Sequence, residues 1–243
     1  MRFLFFLYGI ITYAIFLGTF LYAMGFVGNF YVPKSMDSGN SGPIGEAILI
    51  NVLLLGVFGI QHSVMARKGF KEFLAKIIPP AIERNTYVLF SSLALMLIFW
   101  QWRPMGELIW DVSNTALGTL LVAISVVGWM LVLISTFLID HFELLGLKQA
   151  YYNLQAEKMP SIEFKTPGLY KIVRHPIYLG FTIAFWATPI MTTAHLLFAT
   201  ATLAYTLVGI YLEEKDLVSM FGDEYRAYKS QVSMMIPLRF WFK

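Results

Sequence analysis

Residues 117–139 have the sequence LGTLLVAISVVGWMLVLISTFLI, and this stretch decides the fold because it contains no charged side chain. An α-helix needs roughly 20 apolar residues to cross the hydrocarbon core of a membrane. The stretch is therefore predicted to form a transmembrane helix.

The composition of the whole chain agrees with a membrane protein. Of its 243 residues, 58% are apolar and 14% are charged, whereas soluble domains have about 45–50% apolar and about 25% charged residues. The absence of cysteine excludes disulfides, thiolate metal sites and a cysteine nucleophile. The net charge of +3 is too small to indicate a nucleic-acid partner, and membrane lipid is the expected surrounding.

Other apolar stretches predict the remaining spans, at residues 3–32, 47–65 and 87–102. The first is longer than the roughly 7–15 apolar residues of a signal peptide, so it is expected to be a retained span. Residues 177–212 are uncharged but too long for one span, which predicts a helical hairpin with two short arms and its tip near Thr193. The predicted fold is an all-α integral membrane protein with five to six transmembrane helices, the last two forming the hairpin.

The distribution of basic residues predicts the orientation of these spans. If the N-terminus is cytoplasmic, the segments on that side hold 16 of the 18 Lys and Arg residues, and only Lys34 and Arg103 lie outside. Cytoplasmic loops carry this excess of basic residues in membrane proteins. Both termini are therefore expected in the cytoplasm.

Most ionisable side chains near the spans fall on the same cytoplasmic side. Ionisable groups close to the membrane interior are costly and often mark a functional site. An alternative stays open, in which each of these side chains only caps a helix at the headgroup layer. The set consists of His62, His141, His175, Asp140, Glu143, Glu213 and Glu214.

Residues 174–180, RHPIYLG, form the strongest local pattern. Pro176 suits the first turn of a helix, and the free N–H groups at such a helix end attract anions. Arg174 adds a planar guanidinium that matches a carboxylate, and Gly180 allows a flat group to approach the backbone. The predicted hairpin returns Glu213 and Glu214 to the same face, so cationic groups and carboxylates meet there. This set of groups suits S-adenosylmethionine, which presents a carboxylate, an ammonium, ribose hydroxyls, an adenine edge and a sulfonium.

A longer set of motifs resembles a known family. Residues 167–180, PGLYKIVRHPIYLG, are followed by LEE at 212–214, FGDEYRAY at 221–228 and IP at 236–237. Together they resemble the membrane methyltransferases that include isoprenylcysteine carboxyl methyltransferase and phospholipid N-methyltransferases. The resemblance implies an S-adenosylmethionine site made of Tyr170, Arg174, His175, Tyr178, Leu179, Gly180, Glu213 and Glu214.

A second block, TFLIDHFELLGLKQ at residues 136–149, resembles the NnrU-related bacterial branch of that superfamily. Within the branch it is most similar to the methanethiol S-methyltransferases, which make dimethyl sulfide. The resemblance implies an enzyme of the bacterial cytoplasmic membrane that methylates a small thiol at a site facing the cytoplasm. The chain is then expected to be one domain over 1–243, with four spans in 1–139 and the catalytic region in 140–243.

Thiol methylation requires a base, because a small alkyl thiol has a pKa above the value of about 8.5 that is usual for a cysteine side chain. His141, oriented by Asp140 or Glu143, is the candidate, since a near-neutral pKa suits proton transfer. Arg226, with Tyr225, is expected to close the site from the C-terminal segment; the alternative for this pair is a solvated end of an amphipathic helix. The alternative is that Asp140 and His141 only cap the fourth span.

Three other functions are compatible with parts of the pattern. The same fold is able to methylate a lipid amine or an isoprenylcysteine carboxylate, and a non-catalytic NnrU-like membrane protein would share the spans. A metal enzyme using His62, His141 and His175 is disfavoured, because the chain lacks the HxxH and HxxxH spacings of membrane di-iron enzymes. No metal is therefore predicted.

Overall fold

The structure, a computed structural model, describes residues 1–161 and 163–237. Residues 238–243, which end the predicted cytoplasmic tail, lie outside the described residues. Within the described ranges, ten α-helices and two short strands follow one another. Their bounds are α1 (Arg2–Gly28), α2 (Ile44–Ala66), α3 (Lys68–Leu74), α4 (Pro80–Gln101), β1 (Leu108–Asp111), α5 (Ala116–Ile139), α6 (His141–Leu144), α7 (Leu147–Gln155), α8 (Pro176–Trp186), β2 (Ile190–Thr192), α9 (Thr193–Phe221) and α10 (Asp223–Gln231), with a 3₁₀ turn at Gly168–Lys171.

Five of these helices, α1, α2, α4, α5 and α9, are long and apolar enough to cross a membrane, and α8 is a shorter apolar helix. Many apolar side chains on α5 are exposed, among them Leu120, Val127 and Met130. Such a surface suits lipid, which is as apolar as these side chains. The predicted all-α membrane fold with five to six transmembrane helices is confirmed.

Two helix ends differ from the predicted spans more than the others do, and each has a local reason. The first helix ends at Gly28, before the predicted residue 32, because Asn29 adopts the left-handed conformation (φ 58°) that caps a helix. The third span begins at Pro80, well before the predicted residue 87. Pro80 occupies the first turn of α4, where the missing N–H of proline leaves no hydrogen bond unmade.

The C-terminal hairpin is asymmetric, whereas two short arms were expected. The first arm, α8, has 11 residues and ends before Pro189, since the residue that precedes a proline disfavours the helical conformation. The second arm, α9, has 29 residues and continues through the polar segment after residue 212. It stops at Gly222, whose φ of 58° is one that favours glycine. The strand β2 (Ile190–Thr192) then leads from α8 to α9.

Contacts divide the chain into two compact units. The first consists of Met1–Glu107, Phe142–Pro160 and Thr192–His195. In it, α4 packs against α1 and α2, and α7 packs against α1 and α4. Polar side chains inside this unit bond to one another: His62 contacts the hydroxyl of Tyr87 at 2.8 Å and that of Ser91 at 3.0 Å.

The second unit contains the described residues of 108–141, 161–191 and 196–243. Its main contact joins α5 to α8. A Cβ atom on Gly180 would lie 2.7 Å from the carbonyl oxygen of Gly128 and 2.8 Å from the backbone nitrogen of Val132. The two backbones therefore touch, as in the small-residue packing of membrane helices. The hydroxyl of Ser125 also donates to the carbonyl of Ala184 at 3.0 Å.

A two-stranded sheet of β1 and β2 precedes α9. The segment after α8 is bonded to it, since Trp110 Nε1 donates to the Thr188 carbonyl at 3.1 Å and the Val112 N–H donates to the Pro189 carbonyl at 2.9 Å. These bonds fix the extended end of the first arm. The single domain over 1–243 stays a prediction.

Candidate active site

The start of α8 is held by backbone bonds to the C-terminal segment. The N–H of Arg174 donates to the carbonyl of Ser233 at 2.8 Å, and the N–H of His175 donates to the carbonyl of Met234 at 3.1 Å. Pro176 then begins the helix. The two residues before α8 are therefore fixed in position by a segment about 60 residues later in the chain.

Glu214, on α9, is the centre of a buried polar cluster. Its Oε1 accepts from Arg174 Nε at 2.8 Å and lies 2.7 Å from Arg174 Nη2. The same oxygen lies 3.2 Å from His175 Nε2. Its Oε2 lies 2.6 Å from Lys229 Nζ. With three basic partners and a side chain that is 7% exposed, this carboxylate is compensated within the protein.

Arg174 is engaged by the protein as well. Its Nη1 donates to the carbonyl of Lys229 at 3.2 Å and to that of Val232. The side chain is only 9% exposed. The structure thus directs this guanidinium to Glu214 and to the C-terminal segment, and its direct contact with a cofactor stays a prediction.

Glu213 has a different environment from Glu214. Its side chain is 44% exposed, and its Oε2 lies 3.8 Å from His175 Nδ1. The imidazole of His175 is buried and has one carboxylate near each of its nitrogens. Of the two glutamates, Glu213 therefore presents the carboxylate that an incoming cation is able to reach.

Of the next residues of α8, some lie near this cluster and others pack against α5. The ring of Tyr178 lies 5.6 Å from that of His175, and both are at the start of the helix. Leu179 is half-buried, and its N–H donates to the His175 carbonyl at 3.0 Å. Gly180 instead faces Gly128 of α5. The close approach that Gly180 permits is therefore made by the backbone of α5. A contact between Gly180 and a cofactor stays a prediction.

The helix α10 covers the cluster with one of its faces. The hydroxyl of Tyr228 donates to the carbonyl of Tyr170 at 2.5 Å, and the hydroxyl of Tyr170 donates to the carbonyl of Ser135 at 3.4 Å. Burial raises the pKa of Tyr228 to about 12, with Arg174 opposing the rise and Glu214 adding to it. This phenol therefore remains a proton donor at neutral pH.

Arg226 lies on another face of α10. Its side chain is exposed, and its Nη1 lies 2.6 Å from the carboxylate of Asp223. The structure does not place it in the buried cluster around Glu214. A catalytic contribution of Arg226 stays a prediction.

His141, the first residue of α6, is buried against two side chains near the end of α5. Its ring stacks on Phe137, with centroids 4.2 Å apart and planes 6° apart. Its Nδ1 lies 2.9 Å from Thr136 Oγ1, and that hydroxyl donates its hydrogen to the Leu133 carbonyl at 2.7 Å. Because a hydroxyl has only one hydrogen, it must accept from Nδ1–H. The neutral His141 therefore has its lone pair on Nε2.

The protonation of His141 reflects its burial. Burial lowers the pKa of His141, and the carboxylate of Asp140 opposes this by favouring the imidazolium. The charge of Asp140 acts on His141, and Nδ1–H of His141 donates to the Thr136 hydroxyl. Glu143, the other predicted orienting residue, pairs with Lys148 at 3.1 Å. The imidazole is mostly neutral near pH 7, as a base must be.

A series of contacts connects the His141 region to the Glu214 cluster. Ser135, which precedes Thr136, accepts from Tyr170, and Tyr170 accepts from Tyr228. Tyr228 in turn precedes Lys229, which bonds Glu214. Four of these residues, Ser135, Thr136, Tyr228 and Lys229, were not identified as site residues from the sequence. Lys229 lies four residues after Tyr225, and this spacing places both residues on one face of a helix. That shared face was the sequence signal from which Lys229 could have been found.

The histidines do not form a metal site in the part of the chain that the structure describes. No three His, Cys, Asp or Glu side chains within residues 1–161 and 163–237 are grouped so that they could hold an ion. His62 instead bonds Tyr87 and Ser91.

Comparison with known proteins gives consistent relatives. The phospholipid methyltransferase family matches residues 114–224. Methanethiol S-methyltransferase 1 of Bradyrhizobium diazoefficiens is 54% identical over 98% of this chain and 84% of the relative. Methanethiol S-methyltransferase of Mycobacterium tuberculosis is 50% identical over 97% of both chains. Nurim of Mus musculus is 30% identical over 69% of this chain and 66% of the relative. No solved structure gives a significant match.

Proposed function

The chain belongs to the methanethiol S-methyltransferase family, and on that basis we propose that it is a membrane enzyme that methylates methanethiol with S-adenosylmethionine, giving dimethyl sulfide. The observation that supports the acceptor is the identity of 50–54% over nearly the whole chain to relatives of that name. The buried cluster at the start of α8 supports the methyl donor.

The residues at the cluster fit the amino-acid end of S-adenosylmethionine. The carboxylate of Glu213 is half-exposed and suits the ammonium of that end. The buried hydroxyl of Tyr225 has no hydrogen-bond partner among the described residues and offers a donor. Glu214, whose oxygens are occupied by Arg174, His175 and Lys229, positions the start of α8.

His141 is the proposed base. Its Nε2 takes the proton of methanethiol, and Thr136 keeps the other nitrogen protonated, so the lone pair stays on Nε2. S-adenosylmethionine supplies, when bound, a methyl group on a positively charged sulfur. The thiolate that His141 generates would accept this methyl group, and S-adenosylhomocysteine would be the leaving group. The products are dimethyl sulfide, S-adenosylhomocysteine and a proton, held first on His141.

The location of the enzyme is part of the proposal. Sixteen of the 18 basic residues fall on the predicted cytoplasmic side, which supports cytoplasmic termini and a site that faces the cytoplasm. The bacterial relatives support the bacterial cytoplasmic membrane. A small apolar thiol reaches such a site through lipid, so no large docking surface is required.

The acceptor is tested by comparing three substrate classes in one assay. Detergent-purified protein is incubated with methyl-labelled S-adenosylmethionine and either methanethiol, phosphatidylethanolamine or an isoprenylcysteine analogue. We expect labelled dimethyl sulfide in the headspace with methanethiol and little label in the lipid fractions. Label in a lipid acceptor without labelled dimethyl sulfide would transfer the proposal to a lipid methyltransferase. No transfer to any acceptor, with no cofactor binding, would support a non-catalytic membrane protein.

A further inference from the structure

Tyr225 is a buried residue that the contacts described above do not explain. Only 2% of it is exposed, and its hydroxyl has no hydrogen-bond partner among the described residues. Its ring is held by two aromatic neighbours, Phe164 at 5.8 Å and Tyr228 at 5.7 Å between centroids. Packing therefore accounts for the ring. Since buried hydroxyls are nearly always bonded, the hydroxyl requires a separate explanation.

The position of Tyr225 on α10 directs it to the cluster around Glu214. It lies four residues before Lys229, and residues with this spacing share one face of a helix. Lys229 contacts Glu214 at 2.6 Å, so this face of α10 is turned towards the cluster. The pKa of Tyr225 is raised by burial first, and also by the carboxylates of Glu214 and Glu213, with Arg174 opposing. The phenol is therefore close to these charges and stays protonated at neutral pH.

We infer that the hydroxyl of Tyr225 donates a hydrogen bond to the carboxylate at the amino-acid end of bound S-adenosylmethionine, an inference that rests on the proposed function. The zwitterionic end of the cofactor is the part that suits a cluster of charges. Its ammonium fits Glu213, and its carboxylate needs a donor beside it. Four N–H groups of Arg174 already have partners in the protein, whereas Tyr225 has a donor to give.

Because this hydroxyl is enclosed, contact with the cofactor requires that a side chain near the cluster moves. Glu213 is suited to that movement, because its side chain is half-exposed and its contact with His175 is long, at 3.8 Å. Glu214 is not suited to move, because it is bonded by three basic partners. The residue proposed to take the ammonium is therefore also the more movable of the two glutamates.

The test uses the variant Tyr225→Phe in the full-length purified protein. Phenylalanine keeps the packing of the ring and removes only the unpaired hydroxyl. We expect the affinity for S-adenosylhomocysteine to fall about tenfold or more, the loss of one hydrogen bond to a charged carboxylate. The thermal midpoint without ligand should stay the same or rise, because a buried polar atom without a partner has been removed.

The matched control is Tyr228→Phe on the same helix. Its hydroxyl is bonded to the Tyr170 carbonyl, so this variant should lower the thermal midpoint and change the affinity less. A decarboxylated S-adenosylhomocysteine, which keeps the ammonium, should bind wild type and Tyr225→Phe equally when measured by competition.

The outcomes separate this inference from the proposed function. Failure of the wild-type protein to bind S-adenosylhomocysteine would overturn the proposed function. Binding by wild type with unchanged affinity in Tyr225→Phe would overturn the inference alone. A lower thermal midpoint in Tyr225→Phe, or an equal loss of affinity for both ligands, would assign the hydroxyl to structure or to another part of the cofactor and would also overturn it.

Discussion

Replacing Glu214 by glutamine removes the negative charge from the centre of the buried cluster and keeps the shape of the side chain. The amide has one oxygen, which is able to accept from Arg174 or His175. Its NH2 group would then face Lys229, where a carboxylate oxygen accepts at 2.6 Å in the wild-type protein. The variant therefore leaves Arg174 and Lys229 without a neutralising charge.

The expected cost follows from the burial of the two cations. Breaking a buried ion pair costs about 3–5 kcal/mol, because the remaining charge stays buried without compensation. The side chain of Lys229 is 47% exposed and turns to water, whereas that of Arg174 is 9% exposed and does not. We therefore expect the lower end of the range, about 3 kcal/mol. At about 2–4 °C per kcal/mol for a chain of this size, the thermal midpoint should fall by about 6–12 °C.

The matched control is Glu213→Gln, one residue earlier on α9. Its side chain is half-exposed and its contact with His175 is long, so its loss should cost less than about 1 kcal/mol of stability. It should instead weaken binding of S-adenosylhomocysteine about tenfold or more, the value of a hydrogen bond to a charged group. Both quantities are measured in detergent, by thermal unfolding and by titration calorimetry. Equal stability losses in the two variants would refute the different assignments of the two glutamates.

Three further predictions concern α5, α8 and His141. Thr136→Val should reduce turnover about tenfold with cofactor affinity unchanged, because Nδ1–H of His141 loses its acceptor; unchanged turnover would contradict the tautomer assignment. Gly180→Ala should lower the thermal midpoint by an amount equivalent to about 1–3 kcal/mol, since its Cβ would meet the Gly128 carbonyl at 2.7 Å, whereas Gly56→Ala, with no atom within 4 Å of its Cβ, should not. Burial lowers the pKa of His141, so the folded protein disfavours the imidazolium, and stability is lost as the pH falls below the usual histidine pKa of about 6.5. Wild type should therefore lose more stability than His141→Gln between pH 7 and pH 5, as followed by thermal unfolding.

The membrane spans were predictable because apolar length is a direct requirement of the hydrocarbon core. The predicted span 117–139 differs from α5 (Ala116–Ile139) by a single residue. The asymmetry of the hairpin was not predictable from hydropathy. The segment after Leu212 is rich in residues that favour helices, so α9 continues past the apolar sequence as far as Gly222.

The residues that form the site were easier to predict from the sequence than the role of each residue in it. A hairpin of the right length indicated that Arg174 and His175 lie near the two glutamates. Neighbouring residues on a helix point about 100° apart, and no sequence pattern states which of the two faces inwards. The rotation of α9 places Glu214 in the cluster and leaves Glu213 half-exposed.

The partners of His141 and Glu214 depend on contacts that have no local signal. The extended backbone of Asp140 (φ 165°) turns the chain after α5, and this turn brings His141 back to Thr136. Lys229 reaches Glu214 because Ser233 and Met234 pair with the backbone of Arg174 and His175. Backbone pairing between distant segments is independent of side-chain identity, so the sequence did not indicate it.

The most direct test of the account is the pH dependence of the turnover ratio between wild type and His141→Ala, with methanethiol and saturating S-adenosylmethionine. If Nε2 of His141 removes the thiol proton, the variant should be slower by about 10²–10⁴-fold near neutral pH and should bind S-adenosylhomocysteine normally. The ratio should then shrink as the pH rises towards the pKa of the thiol, because solvent supplies the thiolate. A ratio that stays constant over the whole pH range would contradict the assignment of His141 as the base.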